Sequence, residues 1–403
     1  MPIYFIGNFS KNQQKKIKEN LSSLKSLYKT QEFAIVKNPE NIYPSYDIYP
    51  LADRTNIDSN FSIILTDMDG TTTSTEVLCL HSLEFMMKKI TSQNFSFEKS
   101  DYPHIIGNST TKHVEYLLDK YQKLIDLNSL KKHSERACLW TSKHSKDKKR
   151  KKEAKEALKI LKNNTLIEKD FSLKVKLAIE IYYDRYHSIL ENIKKGRGEE
   201  LSKKLTGGKP LISPMPGIPL FLSVLKGVLK TPPENFSKDK KTALKKIIRS
   251  FAYKKIKIGL VTSSIFYEAD IVLTEVFKKI RAEIKKWKID KTEKNHLLKA
   301  FSSYKDFYDT VVTADDSHEI RLKPHRDLYS IALFNMNIPK EKFSEAIGFE
   351  DSTSGIIALR AAGISKVVAV PFKESSTHNL SAASLICKKG IEEFLFEHFV
   401  NLV

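Results

Sequence analysis

Five short apolar runs constrain the fold of this chain more than any other feature. They are SIILT at 62–66, IKIGLV at 256–261, TVVT at 310–313, AIGF at 346–349 and KVVAV at 366–370, and each stops at polar residues and precedes a helical stretch. Continuous β-branched runs alternating with helices predict an α/β chain built on a parallel sheet covered on both faces. In such sheets ligands sit at the carboxyl ends of the strands. The residues just past the runs are therefore the first functional candidates: Asp67, Thr262, Asp315 with Asp316, and Glu350 with Asp351.

Between the first and second runs, the pattern from Ser109 to Glu200 is helical throughout. Ser109 is placed as an N-cap ahead of Val114, Leu117, Leu118 and Tyr121 at helical spacing, and a second amphipathic segment runs over about 171–193. KKRKKEAKEALKILKN between them is rich in strong helix formers. Pro214, Pro216, Gly217 and Pro219 mark the return to the sheet. The expected organisation is a core of residues 61–79 and 216–403, interrupted by an all-helical domain over 80–215. Residues 1–60 form an N-terminal extension in which MPIYFIG, KKIKENLSSLKSLYK and FAIVKN can make a small strand–helix–strand unit.

At 403 residues and 41% hydrophobic content, the chain is long enough for two or three domains and is not a disordered polymer. Its formal charge of +20 raises the question of nucleic acid. The excess is concentrated in residues 131–162, with thirteen Lys/Arg against four Asp/Glu, and in residues 226–257, with eleven against two. Neither block carries an interleaved aromatic ladder, so a nucleic-acid partner is disfavoured. Cys79, Cys138 and Cys387 are widely spaced and form no CxxC pair, which supports neither a disulfide framework nor a structural zinc site. With no long apolar run and no signal-like start, a cytoplasmic protein without a membrane partner is expected.

The first strand ends in TDMDGTTT, two carboxylates one residue apart. A carboxylate can attack phosphorus to form an aspartyl-phosphate while a second carboxyl group protonates the leaving oxygen and later deprotonates water. Asp67 suits the first role and Asp69 the second, although Asp and Gly are also ordinary turn residues. Thr262 and Ser263 are short hydroxyls able to bond a phosphoryl oxygen, or to cap a helix. Lys323 precedes a proline that restricts its backbone to an extended form. It could neutralise a phosphoryl group, or stand in solvent as most lysines do. Glu350 and Asp351 with Asp67 offer hard oxygens for Mg²⁺, and Asp351 could equally cap the following helix.

Taken together, these residues resemble the haloacid dehalogenase (HAD) superfamily, in its beta-phosphoglucomutase-like and phosphoglycolate-phosphatase-like branch. Asp67-Met68-Asp69-Gly70-Thr71, Thr262, Lys323-Pro324 and Glu350-Asp351 follow the family's order, and PGIPLFLSVLKG, LKPHRDLY and FEDSTSGIIALRAAG look like this branch. The resemblance implies a Rossmann-like, HAD-like core with an inserted helical cap. It also implies Asp67 as nucleophile and Asp69 as general acid/base, with Thr262, Ser263 and Lys323 on the phosphoryl group. Asp67, Asp69 through its carbonyl, Glu350 and Asp351 would surround Mg²⁺. Asn108, Ser109, Lys112 and His113 lie where the family's cap loop meets substrate.

The expected activity is Mg²⁺-dependent hydrolysis of a small phosphorylated metabolite. Two alternatives stand beside it, a sugar phosphomutase and a nucleic-acid-binding protein that keeps a phosphatase core. Beta-phosphoglucomutases place a histidine ten residues after the acid/base aspartate. Here that position is Cys79, with His81 two residues on. Thr110 stands where phosphonoacetaldehyde hydrolases carry a Schiff-base lysine, which disfavours that chemistry.

Overall fold

A computed structural model of the chain describes residues 2–21, 30–38, 42–105, 110–145, 148–162, 164–251, 254–317, 321–372 and 378–402. It separates into two compact units. One comprises 1–73, 214–269 and 276–403, the other 74–213 and 270–275. The insertion thus starts at residue 74 rather than 80, because the helix Glu76–Thr91 belongs wholly to it.

The N-terminal extension is a three-stranded sheet of β1 (Ile3–Ile6), β2 (Phe33–Lys37) and β3 (Tyr46–Pro50), with β1 parallel and β3 antiparallel to β2. Phe33 and Ile35 pack with Ile17 and Leu21 of the helix Lys11–Leu21. Ala34, Val36, Tyr49 and Leu51, on the opposite face, join the main core beside Ile356 and Leu359. Burial on both faces explains why FAIVK reads as an unbroken apolar run. The extension shares a compact unit with the main sheet and forms none of its own.

The main sheet holds six parallel strands. They are β4 (Ile63–Asp67), β7 (Lys257–Val261), β8 (Thr310–Val312), β9 (Ala346–Glu350), β10 (Lys366–Ala369) and β11 (Leu385–Ile386), in the order β11-β10-β9-β4-β7-β8. The Rossmann-like α/β fold class expected from the sequence is the one observed. Two-residue strands β5 (Thr73–Ser74) and β6 (Ser213–Pro214) stand where the chain leaves and re-enters this unit. The register sets the site: Asp67 lies opposite Val261 on one side, and Thr66 lies opposite Phe349 on the other, so Glu350 ends level with Asp67.

The second unit is helical, with its longest elements at Glu76–Thr91, Leu127–His144 and Phe171–Lys194. The basic helix Lys148–Ile160 turns Ala154 and Ala157 inward. Arg150 is buried too. It pairs with Glu180 at 2.9 Å and Glu153 at 2.6 Å, and lies 4.3 Å from the Tyr183 ring centroid. One member of the densest cationic run is therefore an internal anchor. No described helix is long and apolar enough to cross a membrane.

Candidate active site

Asp67, at the carboxyl end of β4, is 7% exposed. Its Oδ1 meets Lys323 Nζ, which also donates to Glu350 Oε1 at 2.7 Å and to the Val261 carbonyl at 3.1 Å. Three consecutive threonines fix the turn after β4. Thr72 Oγ1 donates to the Asp67 carbonyl at 2.6 Å, Thr73 Oγ1 donates to the Met68 carbonyl at 3.1 Å, and Thr71 Oγ1 donates to Asp351 Oδ1 at 3.4 Å. Gly70 is required here: its φ is +88°, and a Cβ would fall 2.7 Å from Asp351 Oδ2. Asp69 accepts from Ser264 Oγ at 3.0 Å.

Glu350 is held on every side. Its Oε1 accepts from Lys323 Nζ and from Tyr329 OH at 2.9 Å. Its Oε2 accepts from the backbone N–H of Asp351 and Ser352, at 3.1 and 3.2 Å, and from Ser352 Oγ at 3.0 Å. Only glycine fits at 355, since a Cβ there would lie 1.7 Å from Glu350 Oε1. Ser352 also caps the helix Thr353–Ala361 through the Gly355 N–H, which leaves the Asp351 side chain out of the capping role the sequence left open for it.

No family model matches the chain. Among curated relatives, the phosphorylated carbohydrates phosphatase of Thermotoga maritima is 23% identical over 229 residues, 53% of this chain and 89% of that protein. A candidate phosphatase of Bacillus subtilis, YhcW, is 39% identical over 80 residues, so the match spans 20% of this chain and about a third of that relative. Among solved structures, CbbY from Rhodobacter sphaeroides in complex with phosphate is matched over 82% of this chain and 98% of its own, at 14% identity and a TM-score of 0.44. For beta-phosphoglucomutase from Clostridium difficile the shares are 85% and 99%, at 16% identity and a TM-score of 0.39. All four motifs that carried the sequence resemblance meet at one sheet edge, in the order that the resemblance required. In these motifs the chain resembles the haloacid dehalogenase superfamily.

Within this core the charge balance is uneven. Oxygens of Asp67, Glu350 and Asp351 lie within 4.8 Å of one another, all three residues are buried, and Lys323 is the ammonium among them. Burial pushes the Asp67 carboxyl well above the ordinary range; Lys323 pulls it down, and Glu350 and Asp69 push it further up. Asp351 is raised by burial, then by Glu350 and Asp67. Burial alone would lower Lys323, yet Asp67 and Glu350 raise it above the usual lysine value. A hard, all-oxygen set with surplus negative charge fits a divalent cation such as Mg²⁺. Glu350 already accepts five hydrogen bonds, which leaves Asp67 and Asp351 as the more open donors.

Thr262 is buried at the end of β7, and its Oγ1 accepts from the Ser264 N–H at 3.0 Å. Ser263 is exposed, so the loop after β7 turns Ser264 rather than Ser263 toward Asp69. Asp315 accepts from the Phe266 N–H at 2.6 Å and Asp316 caps Thr313, which gives both structural duties. Sequence reading missed Ser264 and Tyr329. Ser264 sat in plain view in VTSS, but only the turn geometry selects among its hydroxyls. Of the insertion candidates, Asn108 and Ser109 lie outside the described residues. Lys112 and His113 share the helix Thr110–Lys120, the first exposed and the second buried. A second donor cluster, Cys387, Glu393 and His398, is accounted for locally: Glu393 takes the Lys389 N–H at 2.7 Å and faces His398 at 3.7 Å.

Proposed function

We propose that the protein is a cytoplasmic phosphatase that hydrolyses a small phosphorylated metabolite through an aspartyl-phosphate on Asp67 and depends on Mg²⁺. The observation that carries this reading is the surplus of buried carboxylate around Lys323 at the strand ends. Asp67 attacks the phosphorus of the ester, forming an O–P bond as the ester O–P bond breaks. Asp69, oriented by Ser264, protonates the departing alkoxide. It then takes a proton from the water that attacks the phosphoenzyme, releasing inorganic phosphate and restoring Asp67. Lys323 and Thr262 stabilise the charge on the phosphoryl oxygens. Asp67 and Asp351, with the Asp69 carbonyl and Glu350 behind them, would hold Mg²⁺, which offsets phosphoryl charge when bound.

Hydrolysis is favoured over phosphoryl return to a sugar by the state of the residues after the nucleophile loop. Cys79 accepts from Tyr182 OH at 3.5 Å, and His81 Nε2 lies 3.0 Å from Arg185 Nη2. Burial and then Arg185 lower the His81 pKa to about 4, so its imidazole is neutral and already engaged. The test is a panel of phosphorylated metabolites assayed with and without Mg²⁺. Phosphate release that requires Mg²⁺ supports the reading, and silence across the panel overturns it. With beta-glucose 1-phosphate and a trace of the bisphosphate, glucose 6-phosphate forming faster than inorganic phosphate would replace the phosphatase by a mutase.

A further inference from the structure

Nothing in the proposed chemistry uses residues 1–60, yet this extension reaches the loop that carries Lys323. Asp47 and Tyr49 are two residues apart on β3 and so project to one face. Arg321 Nη2 donates to Asp47 Oδ2 and to Tyr49 Oη, both at 2.6 Å. On the other side of Lys323, His325 Nδ1 lies 3.0 Å from Tyr49 Oη, and the Tyr49 hydroxyl is 2.8 Å from Asp47 Oδ2. With the Tyr49 proton given to Asp47, His325 must donate from Nδ1. Tyr49 and His325 are 6% and 4% exposed, so water competes little for these bonds. The tether is also packed: Leu322 lies against the core cluster that contains Tyr49, and the Arg326 guanidinium sits 6.0 Å from the Tyr49 ring centroid.

We propose that the N-terminal sheet is a positioning element of the active site: Asp47 and Tyr49 grip Arg321 and His325, the residues two before and two after Lys323, and thereby set where the Lys323 ammonium stands. The residue types suit the task. Half-buried, hydrogen-bonded charges fix one geometry where an apolar contact would allow sliding, and a loop carries no ladder of its own to do this. A catalytic ammonium displaced by about 1 Å can lose on the order of a hundredfold in rate, so a remote tether of this kind has leverage. Asp47 and Tyr49 are positioning residues, with no contact to the reacting atoms required of them.

This inference rests on the phosphatase reading for its kinetic consequence but not for its direct one. In the full-length protein, the rate at which acetic anhydride acetylates Lys323 is followed by peptide mass spectrometry, with Lys240 as an internal reference. Asp47→Ala and Tyr49→Phe are expected to speed acetylation of Lys323 about tenfold. Glu32→Gln is the control. It loosens the same extension elsewhere, at the Arg360 ion pair, and should leave Lys323 as slow as in the wild type.

In phosphate release, kcat should fall about tenfold in Asp47→Ala with KM within about threefold, and Asp47→Glu should recover part of it. Unchanged Lys323 acetylation in both variants, or an equal rise in Glu32→Gln, would overturn the positioning role whatever the activity. Faster acetylation in a protein whose wild type releases no phosphate would instead leave the tether standing and remove the phosphatase reading.

Discussion

Asp101 in the insertion and the acids at the end of β4 and β9 are buried in opposite ways. In the insertion, Asp101 is fully buried and accepts from Lys120 Nζ at 2.7 Å, Tyr121 OH at 2.7 Å, Tyr116 OH at 2.9 Å and the Glu98 N–H at 2.8 Å. Burial alone would raise its pKa, yet the bonds from Lys120 and Tyr121 hold it below the usual carboxylate value. At the sheet edge burial wins instead, and Asp67 and Asp351 are both raised. A buried acid whose donors outweigh its desolvation is scaffolding. One left short of donors is held in readiness for a charge that arrives from outside.

Two substitutions test that contrast directly. Asp67→Asn should cut phosphate release about a thousandfold or more, since it removes the nucleophile. It should leave the melting temperature of the cation-free protein equal or higher, because it also relieves surplus negative charge. Loss of fold together with activity would break the distinction. Asp101→Asn should do the reverse, lowering stability by about 2–4 kcal/mol, because an amide nitrogen would face donors in a buried position. A chemical denaturation midpoint unchanged from wild type would count Asp101 as dispensable.

The smallest effect is expected at His81. Its folded pKa of about 4 lies below the ordinary value of 6.5, so the unfolded chain takes up the proton first as the solution is acidified. Its contribution to stability is therefore complete above about pH 6.5 and is lost as pH falls toward 4. His81→Gln should flatten the stability profile in that window, and a profile of unchanged slope would show that the imidazole is not kept neutral by its surroundings.

The apolar runs and the polar residues that end them were readable because a strand buried on both faces must be apolar along its length and must stop where the chain meets solvent. β11, only two residues long, has too little pattern to show. Nor did β3, whose IYPSYDIYP mixes prolines and tyrosines because its inward face itself carries Asp47 and Tyr49, which meet polar partners. The catalytic candidates Asp67, Asp69, Lys323 and Asp351 stood out as local motifs. Tyr329 and the grip of Asp47 on Arg321 depend on residues 21 and 274 positions apart, and no spacing rule links such pairs.

The order of strands in the main sheet also bears on how the protein is made. β4 is an interior strand, and it acquires hydrogen-bonded neighbours only from β7 and β9, which begin at residues 257 and 346. During synthesis, therefore, the strand that carries Asp67 emerges first and waits with both edges bare while the whole helical insertion is translated. Exposed apolar strand edges of that kind invite pairing with other chains. The nascent chain thus passes through a stage in which its central strand stands unpaired, and it is during that interval that chaperone demand should peak.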